Sequence, residues 1–167
     1  ALIPSNIDCV EVGPVRVIGA VRPQNFDIGY RPDGIRIVHD TKTLNNASSV
    51  TKNWQNMIND LATEATTVHN RFPHALTTFL VAIPAPCITA PRLAAMTETL
   101  ERLSRRVTVV DPEHMAEAIA LVIWDPVRGA ISVSEPDPAS PLRIERFHEK
   151  VEAAYVSRYK GLPPHAV

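Results

Sequence analysis

Residues 26–42 read FDIGYRPDGIRIVHDTK, and this stretch decides the fold. Asp33-Gly34 lies between two alternating apolar and polar runs, which is one of the strongest short-range signals for a β-hairpin. The pattern predicts strands over 26–31 and 35–41, joined by a two-residue type I′ turn. That turn fixes the strand register and sets Asp27 opposite Asp40.

The alternation supports the same register independently. One face of the predicted hairpin is apolar and collects Phe26, Ile28, Tyr30, Ile35 and Ile37. The other face is mostly polar and collects Asp27, Gly29, Arg31, Arg36, Val38, Asp40 and Lys42. A slip by one residue would place Asp27 against His39 and mix the two faces.

Opposed carboxylates indicate a bound cation. Directly opposed side chains in a hairpin lie about 4.5–5.5 Å apart at Cβ, and two carboxylates at that separation repel each other. A divalent cation with hard oxygen ligands would relieve the repulsion. Lys42 follows Asp40 by two positions and shares its face. We therefore predict a metal site at Asp27, Asp40 and Lys42, against the alternative that this face is simply solvated.

The same stretch resembles the active-site hairpin of the PD-(D/E)XK nuclease superfamily, which has the restriction-endonuclease-like fold. In that family an Asp on one strand and an acid-x-Lys on the next hold magnesium and activate water. The resemblance places the Asp at Asp27 and the acid-x-Lys at Asp40 and Lys42. Pro32-Asp33 matches the written motif literally, but Asp33 belongs to the turn, roughly 20 Å along the strand from Asp40. Position 40 is Asp, where the family more often has Glu.

The resemblance implies a function and roles for these residues. Asp27, Asp40 and the main-chain carbonyl of Thr41 would hold Mg²⁺, with Mn²⁺ as a substitute, and Lys42 would orient the attacking water. The implied activity is magnesium-dependent endonuclease cleavage of double-stranded DNA. A homodimer suits cleavage of both strands, with the last helix or the 120–133 hairpin as the interface.

The remaining sequence predicts an α/β fold. The predicted elements are a strand at 15–21, a helix from Ser48 or Ser49 to before Pro73, a strand at 76–83, a helix at 91–105, a strand at 107–110, a helix beginning in 112–120, a hairpin of 120–124 with 130–133, and a last helix over about 144–159. We expect a single nuclease-like domain over 1–167, with its core at about 10–110 and a C-terminal extension at about 111–167. This is a restriction-endonuclease-like mixed β-sheet: a hairpin meander, then α-β-α-β, flanked by helices, with an extra C-terminal hairpin and helix.

Polar residues after the hairpin are candidate nucleic-acid contacts. They lie in the loop and at the start of the next helix: Asn45, Asn46, Ser48, Lys52 and Gln55. The amides and hydroxyls suit backbone phosphates, although capping and turn formation explain them nearly as well.

Composition limits the other possibilities. The chain has 167 residues, 45% hydrophobic and 21% charged, which is typical of one soluble globular domain. A net charge of −1 counts against a non-specific nucleic-acid binder. Cys9 and Cys87 form no zinc motif. No membrane-spanning run is present and residues 1–6 show no signal-peptide pattern, so we expect a cytoplasmic protein with no membrane partner.

Two other functions stay open from the sequence. One is a nuclease-fold binding or structural module that has lost the chemistry, which the near-neutral charge and Asp40 favour. The other is a metal-dependent hydrolase of small phosphorylated substrates.

Overall fold

The computed structural model describes residues 8–164, which form a six-stranded mixed sheet with helices on both faces. The strands are β1 (Val10–Ile18), β2 (Pro23–Tyr30), β3 (Ile37–Thr43), β4 (Leu76–Pro84), β5 (Ala118–Asp125) and β6 (Ala130–Ile131). The helices are α1 (Ala47–His69), α2 (Ala90–Leu103) and α3 (Phe147–Tyr159), with short 3₁₀ turns at Ala85–Cys87 and Ile144–Arg146. Residues 1–6, where the sequence shows no signal-peptide pattern, lie outside the described range.

The strand order in the sheet follows the chain order from β1 to β6. β1, β2 and β3 form an antiparallel meander. The connections through α1 and α2 make β3, β4 and β5 parallel, and β6 returns antiparallel to β5. The prediction of an α/β fold with a mixed sheet and flanking helices is confirmed.

The helices cover the sheet from two sides. α1 and α2 enclose the larger core with apolar side chains such as Leu61, Phe79 and Met96. Val38 of β3 belongs to a second cluster that includes Val68 of α1. Its neighbour His39 makes an edge contact with Phe147 of α3, with ring centroids 5.8 Å apart. Because successive residues of a strand point to opposite faces, α3 covers the other side of the sheet.

The predicted hairpin register is confirmed for residues 28–30 with 37–39, whereas the predicted pair of Asp27 with Asp40 is not part of the ladder and the predicted turn is wrong. The paired residues are Ile28 with His39, Gly29 with Val38 and Tyr30 with Ile37. The strands stop at Tyr30 and Ile37, and among the described residues φ is positive only at glycines, so Asp33 does not adopt the type I′ geometry. The wider turn is held by Arg36, whose Nε and Nη2 donate to the Asp33 carboxylate at 2.8 and 2.6 Å.

Several element boundaries also differ from the prediction. The first strand covers Val10–Ile18 instead of 15–21. Residues 107–110 are not a strand, because the Asp111 carboxylate accepts from the N–H groups of Val107 and Thr108 and closes a turn. No helix begins in 112–120, since β5 starts at Ala118 with a run of fully buried side chains.

The last core strand is therefore β5, and the central sheet extends to Asp125, beyond the predicted core boundary near 110. The predicted hairpin between 120–124 and 130–133 is present as β5 and β6. No helix within residues 8–164 combines the length and apolar character that crossing a membrane requires.

Candidate active site at the β2–β3 hairpin

Asp27 lies where the β2–β3 ladder ends. The last backbone pair is Ile28 with His39. Beyond it, the exposed Asp27 carboxylate accepts a hydrogen bond from the Thr41 N–H, with Oδ2 and N 2.9 Å apart. The N–H and C=O of one strand residue face the same neighbour. The Thr41 carbonyl and the Asp27 carboxylate therefore border the same gap between β2 and β3.

Asp40 and Lys42 lie on the face of β3 that α1 covers. Lys42 Nζ contacts the Asp40 carboxylate and lies 2.8 Å from Oε1 of Glu64 on α1. Asp40 and Glu64 are only 8% and 6% exposed. When both are ionised, Asp40 and Glu64 carry two negative charges against the single positive charge of Lys42.

The protonation of Lys42 follows from its partners. Burial alone would lower the pKa of the Lys42 ammonium, but the hydrogen bonds and charges of Asp40 and Glu64 outweigh burial and raise it. Lys42 is therefore a cation at neutral pH and acts as a hydrogen-bond donor. Burial raises the pKa of Glu64, and Lys42 opposes that rise.

Glu64 is the site residue that the sequence reasoning missed. It lies on the buried face of α1, next to Leu61, Ala65 and Val68. Its Oε2 is buried and has no hydrogen-bond partner among the described atoms. A charged residue inside an apolar helical stripe is unusual, and that interruption is the signal that would have found it.

The proposed nucleic-acid contacts lie at the end of β3 and the start of α1. Asn46 is the helix cap, and its Oδ1 accepts from Ser49 N at 2.7 Å and from Ser48 Oγ at 2.8 Å. The expected caps, Ser48 and Ser49, lie inside the first turn. Asn45, Lys52 and Gln55 are exposed. The polar residue that α1 brings to the hairpin is thus Glu64, while Lys52 and Gln55 lie nearer the helix start.

The donor atoms at the hairpin suit a hard cation. Carboxylate and carbonyl oxygens are the ligands that Mg²⁺ takes, usually together with several waters. Within residues 8–164, no three His, Cys, Asp or Glu side chains lie close enough to hold a metal ion together. A magnesium ion here would rely on Asp27, Asp40, the Thr41 carbonyl and water. His39 faces α3, where its Nδ1 lies 3.0 Å from Thr78 Oγ1.

No family model, curated protein or solved structure matches this chain. Functional assignment therefore depends on the residues of the hairpin and on the arrangement of the sheet around them.

Proposed function

We propose that this protein is a magnesium-dependent endonuclease that hydrolyses DNA phosphodiester bonds. The observation that supports the proposal is the hydrogen bond from the Thr41 N–H to the Asp27 carboxylate, just beyond the last pair of the β2–β3 ladder, because Thr41 lies between Asp40 and Lys42. The meander followed by α1, β4, α2 and β5 is also consistent with the restriction-endonuclease-like fold that the hairpin resembles.

The roles of the residues follow from their charges. Asp27, Asp40 and the Thr41 carbonyl would hold a magnesium ion. A bound ion would supply polarisation of the scissile phosphate and a lowered pKa for a coordinated water. Lys42 has three N–H donors. Asp40 and Glu64 accept two of them, and the third is available to the attacking water or the anionic phosphate.

Replacement of Asp40 tests this proposal. The Asp40→Asn variant should lose magnesium-dependent cleavage of DNA by about a hundredfold or more, because removal of even an outer-shell group around a metal costs 10–100-fold. The assay compares plasmid duplex, single strands and mononucleotides. Asp60→Asn, at an exposed position of α1, is the matched control and should cleave normally. Full activity of Asp40→Asn would reject the mechanism, and cleavage of mononucleotides alone would favour the small-substrate hydrolase.

A catalytically silent module is the second candidate. It is favoured by the contacts of Lys42, which binds both Asp40 and Glu64 and ties β3 to α1. Titration calorimetry with Mg²⁺ and Mn²⁺ separates the two functions. The nuclease should bind either ion and lose binding in Asp27→Asn, whereas the silent module should show no heat of binding in either protein.

A further inference from the structure

A cleft lies between the N-terminal halves of α1 and α2. Its volume is about 420 Å³, and its walls include Thr51, Trp54 and Gln55 from α1, Thr89 before α2, and Arg92 of α2. This volume is within the usual range for small-ligand sites, about 300–1,000 Å³. The cleft does not include Asp27, Asp40 or Lys42, so it is separate from the proposed catalytic residues.

The walls offer an aromatic surface and a cation. Trp54 is half-buried and packs against the main core, which fixes its indole ring at the cleft. Arg92 Nη1 donates to the Thr51 carbonyl at 3.1 Å and so bridges the two helices. A guanidinium has five N–H donors, so Arg92 retains donors for a ligand. None of the carboxylates in the described part of the chain forms an ion pair with Arg92.

Arg92 is the one charged residue that lines the cleft in the described part of the chain, although the whole chain carries −1. Neither α1 nor α2 has an acidic residue in its first turn. The exposed Lys52 lies between Thr51 and the cleft residue Trp54 along α1. An anionic ligand with a flat ring is complementary to the combination of Trp54 and Arg92 in the cleft wall.

The cleft lies along α1 from the hairpin residues. Trp54 precedes Glu64 by ten positions on α1, which corresponds to about 15 Å along the helix axis. The loop between β3 and α1, with the exposed Asn45, connects the two regions. A DNA strand that passes from the hairpin over this loop would reach the cleft within a few nucleotides.

We infer that the cleft binds one unpaired nucleotide of the substrate strand, with its base stacked on Trp54 and its phosphate on Arg92. Bases in an intact duplex have their faces covered by neighbours, so only an unstacked base can lie against an indole ring. The inference rests on the proposed nuclease function and narrows its substrate to DNA with unpaired nucleotides a few positions from the scissile bond.

Fluorescence titration without metal tests the inference separately from catalysis. The sequence has two tryptophans, so Trp124→Phe leaves Trp54 as the only indole. With excess EDTA, a twelve-nucleotide oligo(dT) should quench Trp54, and a blunt duplex of the same length should quench it much less. Anisotropy of a labelled oligo(dT) with the unsubstituted protein gives the affinity without relying on the Trp124 variant.

Arg92→Gln and Arg102→Gln form the matched pair, since both arginines lie on α2 and Arg102 is exposed beside Glu98. Arg92→Gln should weaken oligo(dT) binding about tenfold and reduce the slope of log K against log salt by about 0.7, whereas Arg102→Gln should bind normally. Trp54→Ala should weaken binding by about tenfold.

The outcomes separate the two proposals. Equal binding of duplex and oligo(dT), absence of quenching, or equal effects of the two arginine variants would overturn the cleft proposal. Cleavage of DNA without Trp54 quenching would overturn the cleft alone and leave the nuclease. Oligo(dT) binding that depends on Arg92 and Trp54, in a protein that does not cleave, would support the cleft and reject the nuclease.

Discussion

At the scale of single residues, Lys42 determines the electrostatics of the hairpin. It is the only cation in contact with the buried carboxylates of Asp40 and Glu64 among the ion pairs of the described chain. The sequence predicted Asp27, Asp40 and Lys42 together, because the two-residue period and the hairpin signal determine which side chains oppose each other. It did not predict Glu64, because that contact depends on how α1 docks on β3.

Removal of the Lys42 ammonium should destabilise the protein. Lys42→Met leaves two nearly buried carboxylates without a cation, and breaking a buried pair costs 3–5 kcal/mol. Since the Lys42 side chain is 26% exposed, we expect a loss of about 2–3 kcal/mol at pH 7. Urea unfolding measures it, with Lys52→Met, an exposed lysine on α1, as the control.

The loss of stability in Lys42→Met should depend on pH. Burial already raises the pKa of Glu64, and without Lys42 the largest influence that opposes the rise is lost. A group whose folded pKa is raised loses stability as the pH increases through that pKa. The deficit of Lys42→Met should therefore be smaller at pH 5 than at pH 7. An equal deficit at both pH values would contradict this account of Glu64.

At the scale of elements, the hairpin was predictable in register but not in turn geometry. Alternation from Phe26 to Lys42 sets the register whatever the loop conformation. The Asp33–Arg36 ion pair stabilises a wider turn that dipeptide statistics do not foresee. The prediction of a strand at 107–110 was wrong for a related reason. Val107 and Val110 are exposed, and Asp111 caps the turn that contains them.

The start of α1 gives a prediction at this scale. Asn46→Ala removes the oxygen that accepts from Ser49 N and should lower the free energy of unfolding by about 1 kcal/mol. Asn45→Ala is the control. The Asn45 side chain makes only a long hydrogen bond to Thr43 Oγ1, at 3.4 Å, so this substitution should cost much less stability. Thermal unfolding of the two variants gives the comparison, and equal losses would show that Asn46 is not the effective cap.

At the scale of the whole molecule, Glu117 joins elements that are distant in sequence. Its carboxylate accepts from Thr77 N at 2.7 Å, lies 2.8 Å from Arg158 Nη1 of α3, and lies 3.1 Å from Arg106 Nε after α2. Oε2, the oxygen that accepts from Thr77 N, also lies 3.3 Å from His69 Nε2 at the end of α1. Sequence reasoning could not foresee this cluster, because its members are brought together only when both helical layers dock on the sheet.

Glu117→Gln should therefore destabilise the whole fold. It leaves two buried guanidinium groups without a carboxylate, and we expect a loss of about 3 kcal/mol. Glu98→Gln, which breaks an exposed helical pair, should cost less than about 0.5 kcal/mol. A similar loss in both variants would contradict the role of the cluster.

The loss of stability in Glu117→Gln should also depend on pH. Burial alone would raise the pKa of Glu117, but the hydrogen bond and charge of His69 and the charge of Arg158 hold it below 4.5. A group whose pKa is lower in the folded state stabilises the fold at pH values above its usual pKa. This stabilisation is lost as the pH falls. The gap between the unsubstituted protein and Glu117→Gln should narrow below pH 4.5.

We propose that the β2–β3 hairpin binds a divalent cation. Crystals soaked in MnCl₂ and measured at the manganese absorption edge test it most directly. We predict one strong anomalous peak bordered by the carboxylates of Asp27 and Asp40 and the carbonyl of Thr41, and no such peak in Asp27→Asn crystals. A peak elsewhere, or none at the hairpin at millimolar Mn²⁺, would contradict the account.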